Sequence, residues 1–212
     1  KIQAEDAAHL NKRRDRGDAP IEPLYDWRDV RRTMQLARSV PYEAPHDLGK
    51  GLVVRFVEAG HLLGSAMIHL AFDGRSITFT GDLGRRDMPI LRDPSPIPPG
   101  DLIISESTYG GRNHPGIEML ASELGDVVRR TIDRGGKVLI PAFSLGRTQT
   151  VVFFLHQLIH HGKIPRLPIY VDSPLAAAAT EVFRMHPECF DEETSLLLYG
   201  DRELFGETLV QY

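Results

Sequence analysis

The chain has 212 residues, of which 25 are Lys or Arg and 29 are Asp or Glu, and its formal net charge at pH 7 is −4. This mildly acidic balance excludes a uniformly basic, histone-like nucleic-acid binder, although a local group of arginines can still bind phosphate. The single cysteine, Cys189, excludes an internal disulfide framework and a Cys-rich zinc module. A bound metal would therefore be held by His and carboxylate side chains.

Two features of the sequence bear on the setting of the chain. A lone cysteine is typical of a reducing compartment, and no apolar run approaches the roughly 18 residues of a membrane helix, so we expect a cytoplasmic protein. The sequence starts at Lys1 instead of Met and closes on an apolar stretch, so we expect a fragment of a longer protein.

The first part of the chain, residues 1–50, is predicted to be helical and rich in arginine. Asp26 stands at the N-cap position of a helix in which Trp27, Val30 and Met34 recur at helical spacing. The prolines at positions 41 and 45 end this segment.

From Gly51 the pattern changes to that of a β-meander. The predicted strands span residues 52–57, 67–72, 76–80 and 102–105. Each is short and rich in apolar and β-branched residues, and Asp73-Gly74 forms a two-residue hairpin turn. The last strand runs directly into Glu106.

After Gly110 helices and strands alternate, which predicts βαβ units with a parallel sheet. The predicted helices span 117–134, 148–160 and 175–185, and the predicted strands span 138–140 and 169–171. A connector with Asn and Pro lies at 112–115, between Gly111 and Gly116. We therefore predict one domain at 1–112 and a second at 113–212.

His61 and Asp82 are predicted to meet at one end of the meander. The strands that precede them run in the same direction, so the loops that follow share one edge of the sheet. Imidazole and carboxylate are ligands that zinc and manganese accept when thiolates are absent, which makes the pair a candidate metal site. The spacing alone leaves a simpler interpretation open, in which His61 is an ordinary histidine and Asp82 a turn former.

Two loops of the second half are candidate phosphate-binding sites. Ser144 and Arg147 follow the strand predicted at 138–140, and Ser173 with Pro174 starts the last predicted helix. Helix amino termini at the carboxyl ends of parallel strands direct unpaired N–H groups at anions, and a guanidinium fits a phosphate bidentately. The two serines could instead be simple helix caps.

Five motifs occur in a fixed order, GHLLGSA, TGDLGR, ESTYG, IPAFSLGRTQ and DSPLA. In this order they resemble the metallo-β-lactamase-fold nucleases of the β-CASP subgroup, RNA- and DNA-processing hydrolases that include the pre-mRNA 3′-end-processing endonuclease. The resemblance runs from about Gly51 to Ala176. It implies an α/β fold in which part of an αββα metallo-β-lactamase domain is followed by part of a β-CASP domain with a parallel, Rossmann-like sheet.

The resemblance also implies roles for three side chains. His61 matches a histidine that binds one metal ion, and Asp82 matches the aspartate that bridges two ions. Glu106 matches the acidic residue that opens the β-CASP insertion and partners a distant histidine near the scissile phosphate. Asp82 and Glu106 are thus the candidate catalytic residues, His61 and Asp82 the candidate metal ligands, and the implied cofactor is two divalent ions, zinc with manganese as the alternative.

One signature of the family does not occur in these 212 residues. The His-x-His-x-Asp-His segment, which supplies most of the family's metal ligands, is absent, as are the later histidine motifs. A two-metal site needs roughly five or six protein ligands, whereas this chain offers two. We therefore expect the chain alone to be inactive and its full-length parent to be active.

The function that the resemblance implies is hydrolysis of single-stranded RNA by a zinc-dependent ribonuclease, in RNA processing or decay. In the intact protein a hydroxide activated by two metal ions would attack the phosphodiester in the cleft between the two domains. Ser144, Arg147 and Ser173 would bind substrate phosphates. A DNA-end nuclease and a non-catalytic RNA-binding scaffold of the same fold stay open as alternatives, and so does a homodimer.

Overall fold

A computed structural model describes residues 2–14, 17–200 and 210–211 of the chain. The helices are Ile2–Lys12 (α1), Trp27–Leu36 (α2), Ile117–Asp133 (α3), Arg147–His160 (α4), Pro174–Met185 (α5) and Glu192–Gly200 (α6), with a 3₁₀ turn at Pro187–Cys189. The strands are His46–Gly49 (β1), Leu52–Glu58 (β2), Ala66–Phe72 (β3), Arg75–Phe79 (β4), Leu102–Ile104 (β5), Ile169–Tyr170 (β6) and Val210–Gln211 (β7). The chain divides into two compact units, residues 1–41 and 42–212.

The first unit contains α1 and α2. The predicted start of α2 is confirmed, because the Asp26 side chain accepts hydrogen bonds from the backbone N–H groups of Arg28 and Asp29. The Asp29 carboxylate accepts in return from the backbone N–H of Asp26 at 2.9 Å. This reciprocal capping box satisfies donors that the first helical turn leaves without partners.

The second unit begins with a five-stranded sheet in the order β1-β2-β3-β4-β5. Neighbouring strands are antiparallel from β1 to β4, whereas β5 pairs with β4 in parallel. The predicted hairpin turn is confirmed, with φ of +49° at Asp73 and +71° at Gly74. Because β2, β4 and β5 run in the same direction, the loops that follow these three strands leave from one edge of the sheet.

The segment between β4 and β5 packs against the helices of the second half. Ile90 and Phe190 belong to a buried apolar cluster with Phe153 of α4 and Phe183 of α5. The backbone N–H of Ile90 also donates to Thr194 Oγ1 at 3.1 Å. Burial of each such side chain contributes about 1.5–3 kcal/mol to the stability of the fold. This shared core therefore fixes α4 and α5 against the segment between β4 and β5.

The mixed α/β architecture is confirmed, and two predictions of local structure are wrong. Residues 46–49, predicted to be helical with the rest of residues 1–50, form strand β1 because they pair with β2. Residues 138–140 pair with no strand among the described residues, and Leu139 is 93% exposed. The β-branched side chains of Val138 and Ile140 favour an extended backbone, but a strand also needs a neighbour to complete its hydrogen bonds. Parallel pairing in the second half is confirmed between β6 and β7.

Two further points concern the chain as a whole. The boundary proposed between residues 112 and 113 falls inside the second unit and stays a prediction. Within the described ranges, none of the helices combines the length and the apolar character that crossing a membrane requires.

Candidate functional site

The loop that carries His61 is closed by Ser65. Ser65 Oγ accepts hydrogen bonds from the backbone N–H groups of His61 and Leu62, each at 3.1 Å. The carbonyl of Ser65 accepts from the hydroxyl of Tyr42 at 2.9 Å and from the N–H of Ala59 at 3.3 Å. These contacts order the loop and leave the His61 side chain 41% exposed.

Contact between this loop and the Asp82 loop requires glycine at position 84, and glycine at position 60 allows close approach of the later segment at Pro94. The N–H of Gly84 donates to the carbonyl of Ala59 at 2.8 Å, and a Cβ on Gly84 would lie 1.9 Å from the carbonyl oxygen of Gly60. Gly60 has φ +62°, and a Cβ there would lie 2.5 Å from the backbone nitrogen of Pro94. Neither contact has room for a side chain, so the two loops touch backbone to backbone.

His61 and Asp82 lie side by side at the shared edge of the sheet. Their Nε2 and Oδ2 atoms are 3.8 Å apart, and the Asp82 side chain is 77% exposed. The predicted adjacency is confirmed, because β2 and β4 both pair antiparallel with β3 and therefore end at the same edge. The separation is too long for a hydrogen bond, so both atoms remain available to a third partner.

Glu106 anchors the Asp82 loop from the end of β5. Its Oε1 accepts from the N–H of Leu83 at 3.2 Å, and its Oε2 accepts from the N–H of Thr108 at 3.1 Å. Hydrogen bonding from the Thr108 side chain, followed by the backbone N–H groups of Leu83 and Thr108, lowers the pKa of Glu106 below its ordinary value of 4.5, and the charge of His61 adds to this. Glu106 is therefore ionised at neutral pH.

The donor set fits one side of a metal site. Two ligand atoms at about 2.0–2.2 Å from one zinc ion in tetrahedral geometry lie about 3.4 Å apart, a few tenths of an ångström less than the distance between His61 Nε2 and Asp82 Oδ2. In the described part of the chain, no three His, Cys, Asp or Glu side chains are grouped closely enough to hold an ion. His61 and Asp82 can thus supply part of a metal site.

The two serines predicted to bind phosphate are in contact with each other. Ser144 Oγ lies 3.2 Å from Ser173 Oγ. Ser173 is the N-cap of α5, as predicted, since its Oγ accepts from the N–H of Ala176 and Pro174 occupies the first turn. Ser144 caps no helix, because Gly146 is the N-cap of α4. Binding of phosphate by either serine stays a prediction.

Arg147 is the exposed first residue of α4, on a turn that touches the His61 loop. Gly146 before it has φ +77°, and a Cβ on Gly146 would lie 2.8 Å from Cδ2 of Leu62. Leu62 directly follows His61 in the chain. The candidate phosphate loop and the candidate metal pair therefore lie on loops that contact each other.

Gln149 is a residue of this region that sequence reasoning missed. It is 1% exposed, and its Nε2 donates to the Thr180 hydroxyl at 2.9 Å and to the carbonyls of Ser144 at 3.2 Å and Ala176 at 3.5 Å. Gln149 thereby ties the Ser144 loop to α5. The only signal in the sequence is its place in the apolar stripe of α4 with Val152 and Phe153, where a glutamine is unexpected.

Comparison with known proteins gives consistent matches. Residues 148–210 match the family described as Beta-Casp domain. The chain is 37% identical over 172 residues to Ribonuclease TTHA0252 of Thermus thermophilus, covering 81% of this chain and 39% of that protein. It is 35% identical over 181 residues to Transcription termination factor FttA of Methanosarcina mazei, covering 82% of this chain and 28% of that protein. It is 32% identical over 165 residues to Cleavage and polyadenylation specificity factor subunit 3-I of Arabidopsis thaliana, covering 77% of this chain and 24% of that protein.

The chain thus spans less than half the length of each of these three relatives. The Beta-Casp match covers nearly all of α4 together with β6 and α5, the elements that place Arg147 and Ser173. The mixed α/β fold and the order of the sequence motifs agree with that match. The chain belongs to the β-CASP group of metallo-β-lactamase-fold proteins, over the part of them that it spans.

Proposed function

We propose that the chain is part of a nuclease that hydrolyses phosphodiester bonds of single-stranded RNA with the help of divalent metal ions. The single observation that carries the proposal is the pair His61 and Asp82, 3.8 Å apart and exposed at the edge of the sheet. Metal dependence is general in β-CASP nucleases. Relatives named as a ribonuclease and as a cleavage factor support RNA as the substrate class.

Each side chain of the site has a proposed role. His61 and Asp82 would hold an ion, and divalent ions bound there would supply Lewis-acid activation of water and neutralise phosphate charge. Zinc is the ion that we propose, with manganese as the alternative, because both accept imidazole and carboxylate. Glu106 keeps the Asp82 loop in position through its bond to the N–H of Leu83.

The hydroxyls of Ser144 and Ser173 and the guanidinium of Arg147 would bind non-bridging phosphate oxygens. The two serine Oγ atoms are 3.2 Å apart, so a single phosphate can contact both. Arg147 adds a charge-assisted, bidentate contact. We also propose the cytoplasm as the compartment, on the strength of the single cysteine.

The direct test is a cleavage assay on the full-length gene product with labelled single-stranded RNA and DNA, with and without a chelator. We expect RNA cleavage that the chelator abolishes and that added zinc or manganese restores. Cleavage of DNA alone would favour a DNA-end nuclease. RNA binding without cleavage at any metal concentration would favour a non-catalytic scaffold.

Replacement of one candidate ligand, Asp82→Ala, tests the role of the metal pair. Loss of an outer partner of a metal ligand costs about 10–100-fold in metal affinity or activity, so loss of a direct ligand should lower both by more than about 100-fold. Asp133→Ala, at an exposed carboxylate at the end of α3, is the matched control and should behave like wild type. Full metal occupancy and cleavage in Asp82→Ala would remove Asp82 from the site.

A further inference from the structure

The segment that follows Glu106 is held at both ends next to the candidate metal pair. At its start the Glu106 carboxylate bonds the N–H of Thr108, and at its end the guanidinium of Arg85 donates to the carbonyl of Pro115. Between them, the N–H of Gly110 donates to the carbonyl of Ser107 at 3.1 Å. The segment therefore has a defined conformation although it contains no helix or strand.

Three side chains of this segment form an ordered stack. The rings of Tyr109 and His114 are stacked with centroids 3.7 Å apart and planes 30° apart, and the guanidinium carbon of Arg112 lies 4.4 Å from the Tyr109 centroid. Arg112 and His114 thus each lie against the Tyr109 ring, and the three planar groups form one cluster.

The stack is exposed. Tyr109 is 43% exposed although it contacts both neighbours, and Arg112 and His114 are exposed as well. A guanidinium over a tyrosine is stabilised by the charge distribution of the ring, by about 0.5–1 kcal/mol at an exposed site. The cluster therefore leaves aromatic and guanidinium surface open to solvent, where a further planar group can stack.

Planar aromatic and guanidinium groups that are held rigidly at a surface bind unpaired nucleobases. A base continues such a stack through its π-face, and the contact tolerates every base because each has such a face. The position fits a nucleotide near the reaction centre, since Tyr109 lies three residues after Glu106, whose carboxylate bonds the residue next to Asp82.

We propose that Tyr109, Arg112 and His114 form a stacking platform that binds one unpaired base of the substrate RNA next to the His61–Asp82 pair. This proposal rests on the proposed function, because it assigns a base-binding subsite to the same nuclease. The base stacks on this cluster, and Tyr109 holds the cluster together through its contacts with Arg112 and His114.

The test measures RNA affinity of the full-length gene product in chelator, which prevents cleavage, by fluorescence anisotropy of a labelled twelve-nucleotide RNA. Stacking of one base contributes enough that Tyr109→Leu should weaken binding about tenfold. Tyr109→Phe keeps the ring and should bind within about twofold of wild type. Phe72→Leu, at an exposed aromatic residue at the opposite end of β3, is the control and should leave affinity unchanged.

A second arm separates base stacking from other losses. The probes are RNAs with one abasic nucleotide, whose position is moved stepwise along the strand. At one position we expect the affinity of wild type to fall about tenfold and the affinity of Tyr109→Leu not to fall further, because the two changes remove the same contact. Arg112→Ala and His114→Ala remove the two neighbouring planar groups one at a time. At least one of them should give the same pattern, and this pair of variants decides the matter if Tyr109→Leu does not fold.

The outcomes distinguish the two proposals. Unchanged affinity in Tyr109→Leu would overturn the platform, as would unchanged affinity in both Arg112→Ala and His114→Ala if Tyr109→Leu does not fold. Equal losses for intact and abasic RNA at every position would also overturn it, and in each case RNA cleavage by wild type stands. If wild type does not bind RNA in chelator and does not cleave it with metal, both the proposed function and the platform are overturned.

Discussion

Glycine at position 84 sets how closely the two candidate ligand loops approach. Its N–H bonds the carbonyl of Ala59, and its α-carbon faces the backbone of Gly60 at a distance that leaves no space for a methyl group. The sequence shows glycines around His61 and Asp82, but a pattern of glycines predicts turns and does not reveal which one is needed for contact between loops. Only the coordinates identify this role for Gly84.

We therefore expect Gly84→Ala to separate the loops. A Cβ at 1.9 Å from the Gly60 oxygen must displace backbone, which costs about 1–3 kcal/mol of stability and increases the distance between His61 and Asp82. Thermal unfolding and zinc affinity of the full-length gene product measure both effects. Gly111→Ala, where a Cβ meets no described atom within 4 Å, is the control and should change neither. Wild-type stability and zinc affinity in Gly84→Ala would show that the loops are not in this contact.

Tyr42 supports the His61 loop in a way that depends on pH. Burial, then the nearby charge of Glu58, raises the pKa of Tyr42 from its ordinary value of 10.0 to about 12, while its hydroxyl donates to the carbonyl of Ser65. A raised pKa means that the unfolded chain loses the proton first as pH rises. The stability contribution is therefore complete below pH 10 and is lost as pH rises toward about 12.

The resulting prediction concerns the alkaline limb of the stability curve. Unfolding midpoints measured from pH 8 to 12 should fall less steeply above pH 10 in Tyr42→Phe than in wild type, because phenylalanine has no proton to lose. The exposed Tyr170 gives the matched control, and Tyr170→Phe should follow the wild-type curve. An identical alkaline limb in Tyr42→Phe would mean that Tyr42 titrates equally in folded and unfolded chains.

At the scale of elements, periodicity predicted strands β2 to β5 and helices α3 to α5 to within one residue. It missed β1, which lies in the stretch predicted to be helical, and it missed α6. It failed at 138–140, where an apolar, β-branched run resembles a strand but has no pairing partner among the described residues. Propensity describes how one residue fits an extended backbone, whereas a strand depends on a neighbour that the local sequence does not contain. Gln149 was missed for a related reason, since its partners in α5 are about thirty residues away.

The start of α4 is where an element contributes most directly to substrate binding. Arg147→Ala should weaken RNA binding by about 1–3 kcal/mol without changing metal affinity, because it removes one charge-assisted contact to phosphate and no metal ligand. Arg147→Lys keeps the charge without the planar guanidinium, so its RNA affinity should lie between those of wild type and Arg147→Ala. Titration of RNA and zinc into the full-length gene product measures both quantities.

The matched control for this element is Arg166→Ala, an exposed arginine beyond the other end of α4, which should bind RNA like wild type. If Arg147→Ala and Arg166→Ala weaken binding equally, the effect is one of net charge and not of position. If neither does, Arg147 has only a structural role at the first turn of α4.

At the scale of the molecule, the second unit brings together residues that are far apart in sequence. The direction of β2, β4 and β5 places His61, Asp82 and Glu106 at one edge, and this much follows from the order of the strands. The contact of Leu62 with Gly146 joins that edge to α4, and no local pattern predicts it. Resemblance assigned the roles of the site residues, and the structure adds their proximity.

The most direct measurement is anomalous diffraction from crystals of the full-length gene product grown with zinc. We expect a zinc peak within about 2.0–2.2 Å of both His61 Nε2 and Asp82 Oδ2. Zinc bound only elsewhere, with the two side chains in place and without a metal between them, would contradict the assignment of this pair as the metal-binding edge of a nuclease.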